Sequence, residues 1–138
     1  MKRLSAVALL MMTTAANAAP FDVSGAWFRS LPGKAPAGGY FNVQNNTGRE
    51  VVITGASSDA CGMLMIHQSS NKGGMSGMTM MEQIKVPAGG VVHFAPGGTH
   101  LMCEQPKMKI GAKVPVTLHL VGGNSVAVAF EVKGATGK

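Results

Sequence analysis

The C-terminal third of the chain alternates between apolar and polar residues, and this alternation constrains the fold more than any other feature. Apolar side chains occupy every second position over residues 114–120 and again over residues 126–132. Gly122-Gly123-Asn124 lies between the two runs. A period of two is typical of half-buried strands, and a short glycine-rich break between two such runs predicts an antiparallel hairpin. The region is therefore expected to belong to a β-sheet.

Shorter segments upstream carry the same signal. The predicted strands cover residues 40–43, 51–53, 61–67, 80–86 and 91–95, and turn clusters lie at 45–48, 87–90 and 96–98. The chain also contains 19 glycines and has no helix-length amphipathic pattern, which favours many tight turns. Seven to nine short strands at this spacing predict one all-β domain, a Greek-key β-sandwich or barrel.

The N-terminal segment reads as a targeting signal. Met1-Lys2-Arg3 is basic, residues 4–12 are apolar, and Ala16-Asn17-Ala18 matches the small-x-small pattern that precedes a signal-peptidase cut. The apolar run is shorter than the roughly 20 residues that a membrane-spanning helix needs. We therefore predict a cleaved secretory signal at residues 1–18, a single domain at 19–138 and a periplasmic location; a retained membrane anchor is the alternative.

Charge and missing signatures exclude several functions. The chain has 12 Lys and Arg against 6 Asp and Glu, and removal of Lys2 and Arg3 leaves a formal charge of +4. Its basic residues are scattered, whereas nucleic-acid-binding proteins cluster them. No nucleic acid partner, and no membrane attachment after cleavage, is expected. The sequence has no Cys-x-x-Cys, paired carboxylates or Gly-x-Ser-x-Gly. These motifs would support the two enzyme hypotheses, a thiol oxidoreductase and a secreted hydrolase. A structural or adhesive β-sandwich is the third competing hypothesis. We predict that the protein is not an enzyme and is a monomer.

Methionines are concentrated in the middle of the chain. Eight of the 11 remain after the signal, and six of those lie between Met63 and Met81. Methionine often fills gaps in cores, but the glycine-rich stretch at 72–78 looks too flexible and polar to be core. Histidines lie on either side, at His67 and His100, and Met102 shares a side of an extended segment with His100.

These donor types point to reduced copper. Thioether sulfur is a soft, neutral ligand that suits Cu(I), and imidazole binds copper well. Such a site avoids thiolates, which are oxidised outside the cytoplasm. Zn(II) would instead favour Cys, His or carboxylate ligands. We therefore predict that two histidines and two methionines hold one Cu(I) ion per chain.

The spacing of these donors resembles a known family. His67, Met78, His100 and Met102 reproduce the His-x10-Met-x21-His-x-Met signature of the periplasmic copper chaperones called PCu(A)C, with matching flanks at 22–27, 39–46, 86–90 and 94–102. The resemblance implies a cupredoxin-like β-sandwich and Cu(I) binding at these four residues. It also implies delivery to the dinuclear copper centre of a cytochrome c oxidase subunit or to another periplasmic copper chaperone.

One position departs from the family pattern. Members often carry a methionine two residues after the first histidine, where this chain has Ser69. Met75 and Met80 are nearby substitutes for that ligand, and Met81 is a further candidate, although the preferred interpretation of all three is as loop or core residues. Other donors are given structural roles. Met63 and Met65 are expected in the core, and His93 and His119 are expected to face solvent.

Cys61 and Cys103 are the only cysteines, an even count in a chain predicted to be exported. A disulfide between them is the preferred interpretation; it would close a loop of about 43 residues and contribute about 4 kcal/mol in the chain-entropy model. In the alternative, Cys103 is a thiolate copper ligand beside Met102. Strand parity, which points Cys103 away from Met102, counts against that alternative. A blue-copper site needs two histidines, a cysteine and an axial methionine, usually close together on one loop, and the next histidine after Cys103 is His119, within a strand.

Overall fold

A computed structural model describes residues 20–72 and 75–138. The predicted signal at 1–18 lies outside these residues and stays a prediction, as does the domain boundary at residue 19. Within the described ranges no helix is long and apolar enough to cross a membrane. The described residues form ten strands: β1 (Phe21–Arg29), β2 (Ala37–Asn45), β3 (Val51–Ser57), β4 (Met63–Lys72), β5 (Met75–Met80), β6 (Ile84–Val86), β7 (Val91–Phe94), β8 (Thr99–Glu104), β9 (Lys113–Leu120) and β10 (Ser125–Lys133).

The ten strands join in one curled sheet. Its order is β5-β4-β8-β2-β1-β10-β9-β3-β6, and β7 pairs with β2 beyond the segment that pairs with β8. Every pairing is antiparallel except β1 with β10, which is parallel. The predicted all-β class is therefore confirmed, and the number of strands exceeds the seven to nine that were expected.

One face of the sheet encloses the core. Phe41 stacks on Phe94 with ring centroids 4.2 Å apart, and Phe28 lies 4.9 Å from Phe130. Buried aromatic side chains supply much of the apolar area that stabilises a domain of this size. Because side chains alternate along a strand, the residues between these core positions face the opposite side, called the outer face below.

The predicted C-terminal hairpin is confirmed. Strands β9 and β10 pair over most of their length, and the apolar positions of both strands face the core. The register joins Val126 to Leu118, Val128 to Val116 and Phe130 to Val114.

The predicted strand at 80–86 is wrong as one element. β5 ends at Met80, and β6 begins at Ile84. Just after β5, the Met81 amide donates a hydrogen bond to the Ile66 carbonyl oxygen of β4, 2.8 Å away. The chain then crosses to pair with β3 at the far end of the sheet order. The predicted strand is therefore two elements, because β5 pairs with β4 and β6 pairs with β3.

Residues 75–78 of the glycine-rich stretch belong to strand β5, at the edge of the sheet. β5 pairs with β4 from Lys72↔Met75 to His67↔Met80. Pairing at a sheet edge uses backbone groups, so it forms without the apolar alternation that marks strands facing the core.

Cys61 and Cys103 form a disulfide, with Cα atoms 5.3 Å apart. The preferred interpretation is confirmed, and the thiolate alternative is wrong because the Cys103 sulfur is bonded to Cys61. Cys103 is fully buried in the core, whereas Met102 lies on the outer face of the same strand.

Candidate metal centre

His67 and His100 lie directly opposite each other on paired strands. Their positions are partners in the antiparallel pairing of β4 with β8, and their ring centroids are 6.0 Å apart. The neighbouring residues Ile66 and Leu101 are buried in the core, so both imidazoles belong to the outer face. Two histidines separated by 33 positions in sequence are therefore brought side by side.

The His100 ring is held in one orientation. It is 4% exposed, and its Nδ1 lies 2.9 Å from the Gly98 carbonyl oxygen. Because a carbonyl oxygen only accepts, Nδ1 carries the proton and donates. The Nε2 lone pair is then available to a metal ion, and a backbone hydrogen bond of this kind orients many metal-binding histidines.

His67 offers a nitrogen without a partner among the described residues. Its Nδ1 is buried and makes no hydrogen bond there. A buried polar atom without a partner costs about 1–3 kcal/mol. Coordination of a cation by this imidazole would give the ring a favourable partner.

Met78, His100 and Met102 line one small cleft of about 220 Å³. Met102 follows His100 by two positions and shares its face, while Met78 lies on β5 opposite Ser69. Ser69 also lines the cleft, and Met78 is 59% exposed. The structure thus brings three of the four predicted ligands into one cleft, and places His67 beside His100.

Tyr40 and Arg29 complete the wall of this cleft, and sequence reasoning did not select either. The Tyr40 ring centroid is 6.4 Å from that of His100, and the Arg29 guanidinium lies 5.5 Å from the Tyr40 ring. A side chain at Gly38 would collide with the Tyr40 hydroxyl group. A glycine inside a strand often marks such a close approach, and this was the available signal.

The additional methionines near the site differ in position. Met80 is directly opposite His67 on β5, is 61% exposed and does not line the cleft that contains Met78, His100 and Met102. Met81 packs partly against the core. The side chain of Met75 lies outside the described part of the structure.

The expected structural roles are confirmed for some residues only. Met63 is 57% exposed, so the prediction that it packs in the core is wrong. Met65 is half-buried on the outer face. His93 and His119 are exposed, as expected, and each is hydrogen-bonded to a neighbouring side chain.

Together these features define a class: an all-β domain that presents imidazole and thioether donors, suited to a soft metal ion, on the outer face of its sheet. The described residues contain no cluster of three or more His, Cys, Asp or Glu side chains that could hold a metal.

A protein-family model described as "Putative lipoprotein LpqE-like" matches residues 21–132, and the chain belongs to this family. It is also similar to "Putative lipoprotein Lxx21020" of Leifsonia xyli subsp. xyli. The two are 32% identical over 119 residues, which cover 84% of this chain and 71% of the relative.

Solved structures of PCuAC domains share the fold. The copper-bound PCuAC domain from PmoF2 superposes with a TM-score of 0.70 at 22% identity, over 88% of this chain and 99% of that domain. The Cu(I) form of DR1885 from Deinococcus radiodurans gives 0.65 at 28% identity, over 79% and 75% of the two chains. The predicted PCu(A)C family and cupredoxin-like fold are therefore confirmed.

Proposed function

We propose that this chain is an exported copper chaperone that binds one Cu(I) ion through His67, Met78, His100 and Met102 and passes it to an acceptor. The observation that carries the proposal is the facing pair of imidazoles, with both methionines beside it on the outer face. The related PmoF2 domain is copper-bound, and DR1885 has a Cu(I) form, which supports copper as the cargo.

The donor set favours the reduced ion. Two thioethers and two imidazoles are neutral, and thioether is a soft ligand that prefers Cu(I) to harder divalent cations. The complex retains the charge of the ion, so the binding energy comes from coordination rather than from charge neutralisation. The His100 tautomer is fixed before the metal arrives, which lowers the cost of organising the site.

The placement of the donors suits transfer. Met78 is 59% exposed and lies on β5, at one end of the sheet order, whereas His100 is buried on an inner strand. An incoming ligand can displace the exposed thioether first and take the ion in steps. We propose a cytochrome c oxidase subunit with its dinuclear copper centre, or another periplasmic copper chaperone, as the acceptor.

Export is part of the proposal. The family and the Leifsonia relative are both described as lipoproteins, and that description fits an exported chain. Cleavage after residue 18 and a periplasmic location follow from the basic and apolar pattern at the N-terminus.

Anaerobic titration with Cu(I) against a chromophoric chelator tests the ligands. The wild-type protein should bind one equivalent in competition with the chelator. His67→Ala and Met102→Leu should each weaken that binding at least about tenfold, because each removes a coordinating atom. His93→Ala is the matched control, since His93 is exposed and hydrogen-bonded to Asn42. Wild-type affinity in both ligand variants would show that the assignment is wrong.

Metal transfer is measured separately. The Cu(I)-loaded protein is mixed with the apo copper domain of a cytochrome c oxidase subunit, and copper on each protein is quantified after separation. Movement of copper to the oxidase domain is expected. Retention on the chaperone would exclude this acceptor while leaving the binding site intact.

A further inference from the structure

A second group of soft donors lies next to the candidate metal centre, at a gap in the sheet. β3 and β4 lie side by side, yet they are not paired with each other in the described sheet. A cleft of about 470 Å³ opens between residues 54–56 and 64–66. We call it the seam cleft, and its donor side chains are Met65, Met80, Met81 and His119.

The chemistry of this lining is unusual for a surface cleft. Three methionines and one histidine are among the lining residues, and Glu82 lines the same space. Met80 is 61% exposed, although a water-facing position gains nothing from an apolar side chain. Soft sulfur donors with an imidazole suit Cu(I), and the nearby carboxylate favours a cation.

His119 faces the seam cleft without an intervening side chain. It lies opposite Gly55 in the pairing of β9 with β3, and Gly55 leaves open space where another residue would place a Cβ. The His119 Nε2 is 2.9 Å from the Ser57 hydroxyl oxygen. This hydrogen bond positions the ring through Nε2, and in the tautomer in which Nε2 donates, Nδ1 carries the lone pair that a metal ion needs.

The seam cleft adjoins the first site through two direct cross-strand pairs. Met65 lies opposite Met102, and Met80 lies opposite His67. Directly opposed residues of an antiparallel pair have Cβ atoms about 4.5–5.5 Å apart. Soft donors therefore continue from one site to the other without an interruption.

We propose that the seam cleft is a second, weaker site for a soft monovalent metal ion, formed by Met65, Met80, Met81 and His119. Its role as a waiting position for copper next to the first site rests on the proposed function; its ability to bind the ion does not. Binding there is weaker because two of its donors, Met80 and His119, are exposed to water, whereas His100 is buried.

Titration with Ag(I), a soft monovalent ion that does not change its oxidation state under these conditions, tests the second site in the full chain. Native mass spectrometry counts bound ions, and methyl NMR of the methionines reports which thioethers respond. Two ions should bind, the second at least about tenfold more weakly. The methyl signals of Met65, Met80 and Met81 should shift with the second ion.

Variants separate the two sites. The double change Met80→Leu with Met81→Leu should remove the second ion and retain the first, and His119→Asn should weaken only the second. Met63→Leu is the matched control, because Met63 is 57% exposed on the same β4–β5 hairpin but does not line the seam cleft. It should bind both ions as the wild type does.

Each other outcome has a defined meaning. A single bound ion in the wild type, or two ions in the Met80/Met81 variant, would overturn the second site. Loss of the first ion in that variant would assign Met80 to the first site and would also overturn it. Failure of the proposed function looks different: His67→Ala would then bind the first ion as tightly as the wild type does.

Discussion

Four histidines remain after the signal segment, and the position of each one in the sheet determines whether it is a candidate ligand. His67 and His100 face each other, whereas His93 is on another strand pair and contacts Asn42. The spacing of His100 and Met102 could be read locally from strand parity. The approach of His67 to His100 depends on β4–β8 pairing, which no local pattern specifies, so it followed only from the family signature.

A methionine placed at Ser69 should tighten copper binding. Ser69 lines the cleft beside Met78 and lies opposite it in the pairing of β4 with β5. Ser69→Met would therefore add a thioether to the donor set, and we expect about tenfold higher Cu(I) affinity in chelator competition. Ser70→Met is the control, because residue 70 points to the opposite face of β4. Equal effects of the two changes would show that the gain does not come from coordination.

At the scale of elements, alternation identified the strands that face the core and missed the one at the edge. β9 and β10 were predicted as a hairpin because their inner positions are all apolar. β5 was missed because it contributes backbone hydrogen bonds at the end of the sheet, where little burial is required. Residues 72–78, which include the predicted ligand Met78, were therefore interpreted as flexible, and Met80 was assigned to a predicted strand at 80–86.

The disulfide should stabilise the fold more than it stabilises the metal site. Cys61→Ala combined with Cys103→Ala should lower the free energy of unfolding by about 4 kcal/mol in the chain-entropy model, measured by urea denaturation. Cu(I) affinity of the folded variant should change by less than about tenfold, because β4–β8 pairing positions His67 and His100. Reduction of the wild-type disulfide serves as the control and should give a similar loss of stability. Unchanged stability in both would contradict this prediction.

For the molecule as a whole, local sequence patterns did not predict the order of strands in the sheet. The parallel pairing of β1 with β10 joins segments about a hundred residues apart, at Trp27↔Glu131 and its neighbours. Alternating apolar positions predict that such strands exist and which faces are buried, but many strand orders bury the same faces. Of the predicted turns, only the one at 122–124 joins strands that pair with each other, whereas the turns at 45–48, 87–90 and 96–98 connect strands with other partners. The resemblance to a family implied the fold class, and the strand order comes from the structure.

Cu(I) should stabilise the folded protein as a unit, because the proposed ligands converge only when β4, β5 and β8 are assembled. A free ion concentration about 100 times the dissociation constant would raise the free energy of unfolding by about 2.7 kcal/mol. For a domain of this size we expect the melting temperature to rise by roughly 10 °C in anaerobic calorimetry.

Met102→Leu should lose most of this increase, since leucine retains the volume of the side chain and removes its sulfur, whereas His93→Ala should keep it. A similar rise in the wild type and in Met102→Leu would mean that copper stabilises the fold from somewhere other than the His67–His100 cleft. The additional stability would then have to be traced to the seam cleft, where Met80→Leu with Met81→Leu removes the donors.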